Sequence, residues 1–269
     1  MSAPIEDISD NAFRTICHKY GADLTFTEMV RVEGLAKKNA STWSRLDFKD
    51  NTPTIIQLMA GKEYSLKKFL SMFKPHEGFK GFNLNLGCPS PQIIRIGQGC
   101  AMIKRISKTR KLVDIFKKEK YPISIKLRLG LNQFEKEKKV YLNLIKEIDA
   151  DFFVVHARYG SQTYAENPDY SVFPECVATG KNIIANGDID TKQKVDELKK
   201  IGVKGVMIGR AAVKNPGIFN ILKEKPVPSM EHIKKEYYDL VEEYNEPYRY
   251  RKNVIKHLGN TEKMDSAYG

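Results

Sequence analysis

The sequence predicts an α/β protein, a closed (β/α)8 barrel followed by a short helical segment. Three observations lead there. Short apolar, β-branched runs alternate with amphipathic stretches through most of the 269 residues. Many of the runs are apolar throughout, as strands covered by helices on both faces are. Eight such units occur, which fits a sheet closed on itself better than an open one. The length suits one such barrel, and 41% hydrophobic residues can fill its core.

The expected strands run over residues 3–5, 24–27, 54–59, 81–86, 123–128, 152–156, 183–185 and 205–208. Ala3-Pro-Ile5 opens the set, Thr54-Ile-Ile-Gln-Leu-Met59 is the third, and Gly205-Val-Met-Ile208 is the last. Between them, helical periodicity predicts helices over 10–20, 29–38, 62–74, 109–120, 134–148 and 191–201. The pattern changes after Gly217. Lys223-Glu-Lys-Pro-Val-Pro228 reads as a linker by its prolines and charges. Beyond it, 230–244 and 248–258 read as helices rich in Tyr, Lys, Arg and Glu, and residues 261–269 are expected to fray. The chain therefore divides into a barrel, 1–222, and a small basic helical segment, 223–269.

No apolar run approaches the roughly 20 residues of a membrane span. The opening Met1-Ser-Ala-Pro-Ile-Glu-Asp7 lacks the charged start and apolar core of a signal peptide. Cys17, Cys88, Cys100 and Cys176 show no C-x-x-C spacing, so no metal is expected, and a reducing, cytoplasmic setting is. A net charge of +12 suggests a polyanionic partner such as RNA, although lysines spread along solvated helix faces give the same balance.

Chemistry-bearing residues cluster at the expected strand ends, where barrels carry their sites. Asn85-Leu-Gly-Cys-Pro89 places a thiol on a stiff turn after the fourth strand. Gly87 permits close backbone approach and Pro89 restricts the cysteine before it. Such a thiol can act as an acid; alone, it reads equally as a small buried hydrophobe. Asn83 and Asn85, Lys126 and Arg128, and His156 and Arg158 are each two apart, hence on one face of a strand, and Gln57 holds an equivalent position. Cations aimed into a barrel mouth are costly without an anionic or strongly polar ligand. Asn186-Gly-Asp188 after the seventh strand and Gly209-Arg210 after the eighth hold the usual phosphate position of this fold, which suggests a mononucleotide phosphate such as that of FMN. Gly97-Gln-Gly99 reads as a loop hinge entering a helix near 100–106, not as a dinucleotide fingerprint.

Together these motifs resemble the tRNA-dihydrouridine synthases, FMN-dependent barrel enzymes that reduce uridine in tRNA. The resemblance covers about residues 3–217. It runs through Ala3-Pro4, Ser9-Asp10-Asn-Ala-Phe13-Arg14, Thr27-Glu28-Met29, Gln57-Leu-Met-Ala-Gly61, Asn85-Leu-Gly-Cys88-Pro89 with Gly97-Gln-Gly99, Lys126-Leu-Arg128, His156-Ala-Arg158, Asn186-Gly-Asp188 and Ile208-Gly209-Arg210. The resemblance implies that Cys88 is the proton donor, and that Pro4, Ile5, Glu6, Gln57, Lys126 and His156 hold the flavin ring. Asn186, Gly187, Asp188, Gly209 and Arg210 would hold its phosphate end, and Asn85, Arg128 and Arg158 the flipped-out uracil. It further implies tRNA as partner and NADPH or NADH as the source of electrons; a monomer is expected, though the sequence leaves the oligomeric state open. Two rivals are weighed. An FMN barrel acting on a free pyrimidine, like dihydroorotate dehydrogenases, shares the phosphate cradle. An RNA-binding barrel without catalysis would have no need of the thiol and phosphate motifs.

Overall fold

The computed structural model describes residues 1–260; the expectation for 261–269 lies outside them. The described residues form one eight-stranded parallel sheet curled into a barrel. Its strands are β1 (Thr25–Phe26), β2 (Val30–Arg31), β3 (Thr54–Met59), β4 (Phe79–Leu86), β5 (Ile123–Leu127), β6 (Phe153–His156), β7 (Ile183–Asn186) and β8 (Gly205–Met207). Neighbours pair in sequence order from β3 to β8.

The expected first strand over 3–5 is corrected. Only Ser2 bridges to Ile208, because the chain turns at once: Ser9 Oγ accepts from Ile5 N at 2.9 Å. That short segment nonetheless closes the ring, since Ala3 N donates to Ile208 O and Ser2 N to Leu24 O, both at 2.9 Å. The second strand is split into β1 and β2, both paired with β3. Between them Thr27 Oγ1 takes over a ladder position, accepting from Gln57 N at 3.0 Å. β2 and the helix Val32–Ala36 thus replace the expected helix 29–38.

The expected helix 134–148 breaks at Lys139, which has φ +52°, into Gln133–Glu137 and Val140–Glu147. Asn132 caps the first piece by accepting from Glu135 N at 3.0 Å. The Gly97-Gln-Gly99 hinge leads into a 3-10 turn, Gly99–Met102, and the helix proper starts at Ile106.

Outward-facing strand residues pack against the helices. Phe82 is fully buried and meets the rings of Phe69, Phe73, Phe79, Phe116 and Tyr121 at 5.0–5.9 Å between centroids. The lower barrel interior is apolar: Ala3, Phe26, Ile55, Val154, Ile184 and Met207. Above it, inward positions are polar, and this change of layer creates the site.

The helices Met230–Tyr244 and Tyr248–His257 add to the barrel. Their Ile233, Tyr237, Val241 and Val254 share one core with Ile8, Phe13 and Ile16 of the opening loop and first helix. Polar links fix the second helix at the barrel rim: Asn253 Nδ2 donates to Asp7 O at 3.2 Å, and the Tyr250 hydroxyl donates to Glu28. Among the described residues, no helix is long and apolar enough to cross a membrane.

Candidate active site

Register builds the site. Gln57 pairs with Asn83, Asn85 with Lys126, and His156 with Asn186, so adjacent strands present polar side chains inward at neighbouring heights. A relay of amides holds them. Asn85 Nδ2 donates to Gln57 Oε1 at 2.9 Å, Gln57 Nε2 to Asn83 Oδ1 at 2.8 Å, and Asn83 Nδ2 to Ser124 Oγ at 2.9 Å. Gln57, Asn83 and Ser124 are fully buried, and a satisfied buried network of this kind is rigid.

Asn85 also clamps the cysteine loop. Its Oδ1 accepts from Gly87 N at 3.0 Å and from Cys88 N at 2.9 Å. From behind, Gly99 presses on the same loop with φ +57°; a Cβ there would lie 2.5 Å from Cys88 O and 2.8 Å from Ile93 Cγ2. Only glycine fits that backbone and that gap. Cys88 is the one partly exposed cysteine of the four. Burial pushes its thiol above the ordinary value, opposed by a hydrogen bond from Ser90 N and by Arg128 and Arg31. At neutral pH it therefore carries its proton.

Two cavities open at the barrel mouth. The first, about 320 Å³, is lined by Pro4, Ile5, Glu6, Gln57, Asn85, Cys88, Lys126, Arg128 and His156, with Met29, Arg31, Ser90 and Tyr164. The second, about 540 Å³, is lined by Asp188, Gly209 and Arg210 with Tyr170, Lys194 and Lys214. Tyr164 borders both. Its ring lies 4.2 Å from the Arg210 guanidinium carbon and 5.6 Å from those of Arg128 and Arg158.

The electrostatics are lopsided. Lys126, Arg128, Arg158 and Arg210 surround His156, whose imidazole is held neutral, first by burial and then by these cations. The Lys126 side chain forms no ion pair or hydrogen bond among the described residues, and withdrawal from water with Arg128 nearby lowers it to about 8. Arg128 is held by Tyr159 O at 3.0 Å and touches the Tyr164 hydroxyl at 3.4 Å. Asp188, at φ +48°, is the carboxylate that meets these cations directly, bridging Arg158 (2.5 Å) and Arg210, which hold it below the usual carboxylate range; Glu6 and Asp190 also line the cavities but are paired to Arg45 and Lys194. The site is preorganised for an anion.

Three of the residues expected at the site line neither cavity. Arg158 is 1% exposed and turned away, donating to Glu166 O at 2.8 Å and to Asp188. Asn186 donates its amide to Met207 O at 2.8 Å, tying β7 to β8. Gly187, with φ +123°, lets the chain pass His156, whose Cδ2 would lie 3.2 Å from a Cβ. Arg31 had a strand-end signal hidden inside the expected helix 29–38; Tyr164 lies in an aperiodic loop and carried none. At the rim, Glu6, Asp7 and Glu28 gather oxygens within 4.8 Å of one another, with Arg45 and Arg249 paired to them.

The "Probable tRNA-dihydrouridine synthase 2" of Bacillus subtilis (strain 168) is 30% identical over 250 residues, covering 89% of this chain and 74% of its own. The "Probable tRNA-dihydrouridine synthase" of Helicobacter pylori (strain ATCC 700392 / 26695) is 31% identical over 255 residues, covering 90% and 74%. Among solved structures, morphinone reductase superposes with a TM-score of 0.56 at 11% identity over 88% of each chain, a likeness of fold alone. The family model described as "Dihydrouridine synthase (Dus)" matches residues 1–267, and the chain belongs to that family.

Proposed function

We propose that this protein reduces uridine to 5,6-dihydrouridine in tRNA, with FMN as its resident cofactor and NADPH or NADH as the electron source. What carries the reading is the convergence of a protonated Cys88, Asn85, Lys126 and Arg128 on one cavity that meets a second, lined by Gly209, Arg210 and Lys194, at Tyr164. Residues 1–222 would form the catalytic unit and 223–269 a tRNA-binding segment.

The residues present fit FMN. Lys126 is a half-buried cation without a protein counter-ion among the described residues, which suits the electron-rich edge of a flavin. Gln57, His156 and the backbone at Pro4–Glu6 would border the ring. Arg210, Gly209 and the strand-seven turn would receive the phosphate. A bound reduced flavin supplies hydride to C6 of the pyrimidine.

Cys88 then protonates C5 from its Sγ, and its raised thiol value keeps that proton available. Arg128 and Lys126 stabilise negative charge on the pyrimidine carbonyls. Asn85 has its carbonyl oxygen engaged by the loop, so its remaining N–H is what it can offer the base. Arg158 acts through Asp188 and His156 as a positioning residue. Lifting the base from its stack costs a few kcal/mol, offset by stacking in the cavity and by phosphate contacts.

The test is product analysis. Protein reconstituted with FMN and supplied with NADPH should form dihydrouridine in tRNA that lacks the modification, and should leave free uridine and orotate unchanged. Turnover of the free pyrimidines but not of tRNA would replace this reading with the small-substrate one.

A further inference from the structure

We propose that the groove beside the cysteine loop, bounded by Arg31, Lys37, Lys62 and Ile96, is a second RNA subsite that holds the sugar-phosphate backbone next to the reduced uridine. The proposal rests on the reading of the active site as tRNA-modifying and adds to it a place for the flanking nucleotides.

The groove encloses about 610 Å³ and is lined also by Glu33, Asn39, Thr42 and Gln98. It is continuous with the active-site cavity through Arg31, which lines both. One loop is the wall between them: Cys88, Ser90 and Ile93 face the active-site cavity, while Ile96 and Gln98 face the groove. A strand whose base is lifted over Cys88 has its neighbours beside that wall.

The chemistry matches a phosphodiester backbone. The side chains of Arg31, Lys37 and Lys62 form no hydrogen bond or ion pair among the described residues, whereas lysines such as Lys19, Lys104 and Lys139 each hold a carboxylate. Against those three cations stands one carboxylate, Glu33, and it is engaged by Gln98 Nε2 at 3.3 Å. Gln98 is 7% exposed, and its Oε1 has no partner among the described residues. Ile96, 55% exposed, adds an apolar surface for a sugar or base face.

The experiment uses the FMN-loaded full chain and the K37A/K62A double variant, which leaves every lining residue of the active-site cavity intact. tRNA affinity is measured against salt concentration, together with FMN content and the rate of flavin reduction by NADPH. The double variant should keep its FMN and its reduction rate while binding tRNA roughly 3- to 10-fold more weakly. The slope of log affinity against log salt should flatten by about 0.7 to 0.9 for each lysine that meets a phosphate. K37R/K62R should restore both. Equal affinity and slope in parent and double variant would remove the subsite while leaving the proposed function standing. Slower flavin reduction with tRNA affinity intact would assign the groove to the reductant and overturn the proposal. A parent that binds no tRNA at all would overturn the function and the subsite together.

Discussion

Replacing Gly99 by alanine perturbs the support of the cysteine loop from behind, without removing a side chain that lines the active-site cavity. The added methyl would lie 2.5 Å from Cys88 O, 2.8 Å from Ile93 Cγ2 and 3.2 Å from Cys88 Cβ. Two of these contacts are too short for any real Cβ, and the nearest is to backbone, so the loop must move by several tenths of an ångström. Three costs add. Holding alanine at φ +57° costs about 1–2 kcal/mol. Overpacking costs about 1–3 kcal/mol. Moving Cys88 O weakens the bond it accepts from Cys100 N at 3.0 Å, worth about 1 kcal/mol. A loss of about 3–6 kcal/mol follows, a large share of the roughly 5–15 kcal/mol of a folded domain. In urea denaturation with an m-value of about 3 kcal/mol/M, the midpoint should fall by about 1–2 M at unchanged m. A variant within about 0.5 kcal/mol of the parent would refute the claim that this glycine is sterically required and that the loop behind Cys88 is rigid.

Asp188→Asn should destabilise the protein by about 2–3 kcal/mol at pH 7, less than a fully buried pair because Asp188 keeps 31% of its side chain exposed while Arg158 loses its counter-charge. Because folding depresses the Asp188 pKa, its contribution is full above the ordinary aspartate value and is lost only as pH falls through the lowered one; the gap between the urea midpoints of parent and variant should therefore shrink steadily as pH is lowered below about 4. Iodoacetamide should label Cys88 alone in the native protein, slowly at pH 7 and faster as pH rises, because Cys17, Cys100 and Cys176 are buried and pushed up to about 12; peptide mapping that finds another cysteine labelled first would contradict this. Turnover should decline as pH rises through about 8, where Lys126 loses its charge, and in Lys126→Arg the decline should move to higher pH; an unmoved profile would take Lys126 out of the charge balance.

Much of the barrel was legible because its strands, buried on both faces, read as apolar runs, and the inward polar residues at their ends stood out against them. Gln57, Asn85, Lys126 and His156 were found that way and do share one cavity. Arg158 shows where the two-residue rule fails. The strand ends at His156, Arg158 N turns back to donate to His156 O at 2.7 Å, and the side chain pairs with Asp188 at the second cavity instead of lining the one that holds Cys88. The segment 29–38 was misread because Val32, Leu35 and Ala36 carry a helical period, which also swallowed the Val30–Arg31 strand and with it Arg31. Lys139 interrupts a continuous amphipathic pattern through a left-handed backbone that nothing in its side chain announces. Tyr164 owes its place to three arginines brought together by tertiary folding, which no local pattern encodes.

The central claim, a thiol acid poised over the base, is tested most directly by single-turnover reduction of tRNA with the flavin already reduced, comparing parent with Cys88→Ala. The variant should hold FMN and tRNA as the parent does and form dihydrouridine at least about 100-fold more slowly, the usual share of a positioned acid. Dihydrouridine formed at the parent's rate by a variant without that sulfur would contradict it.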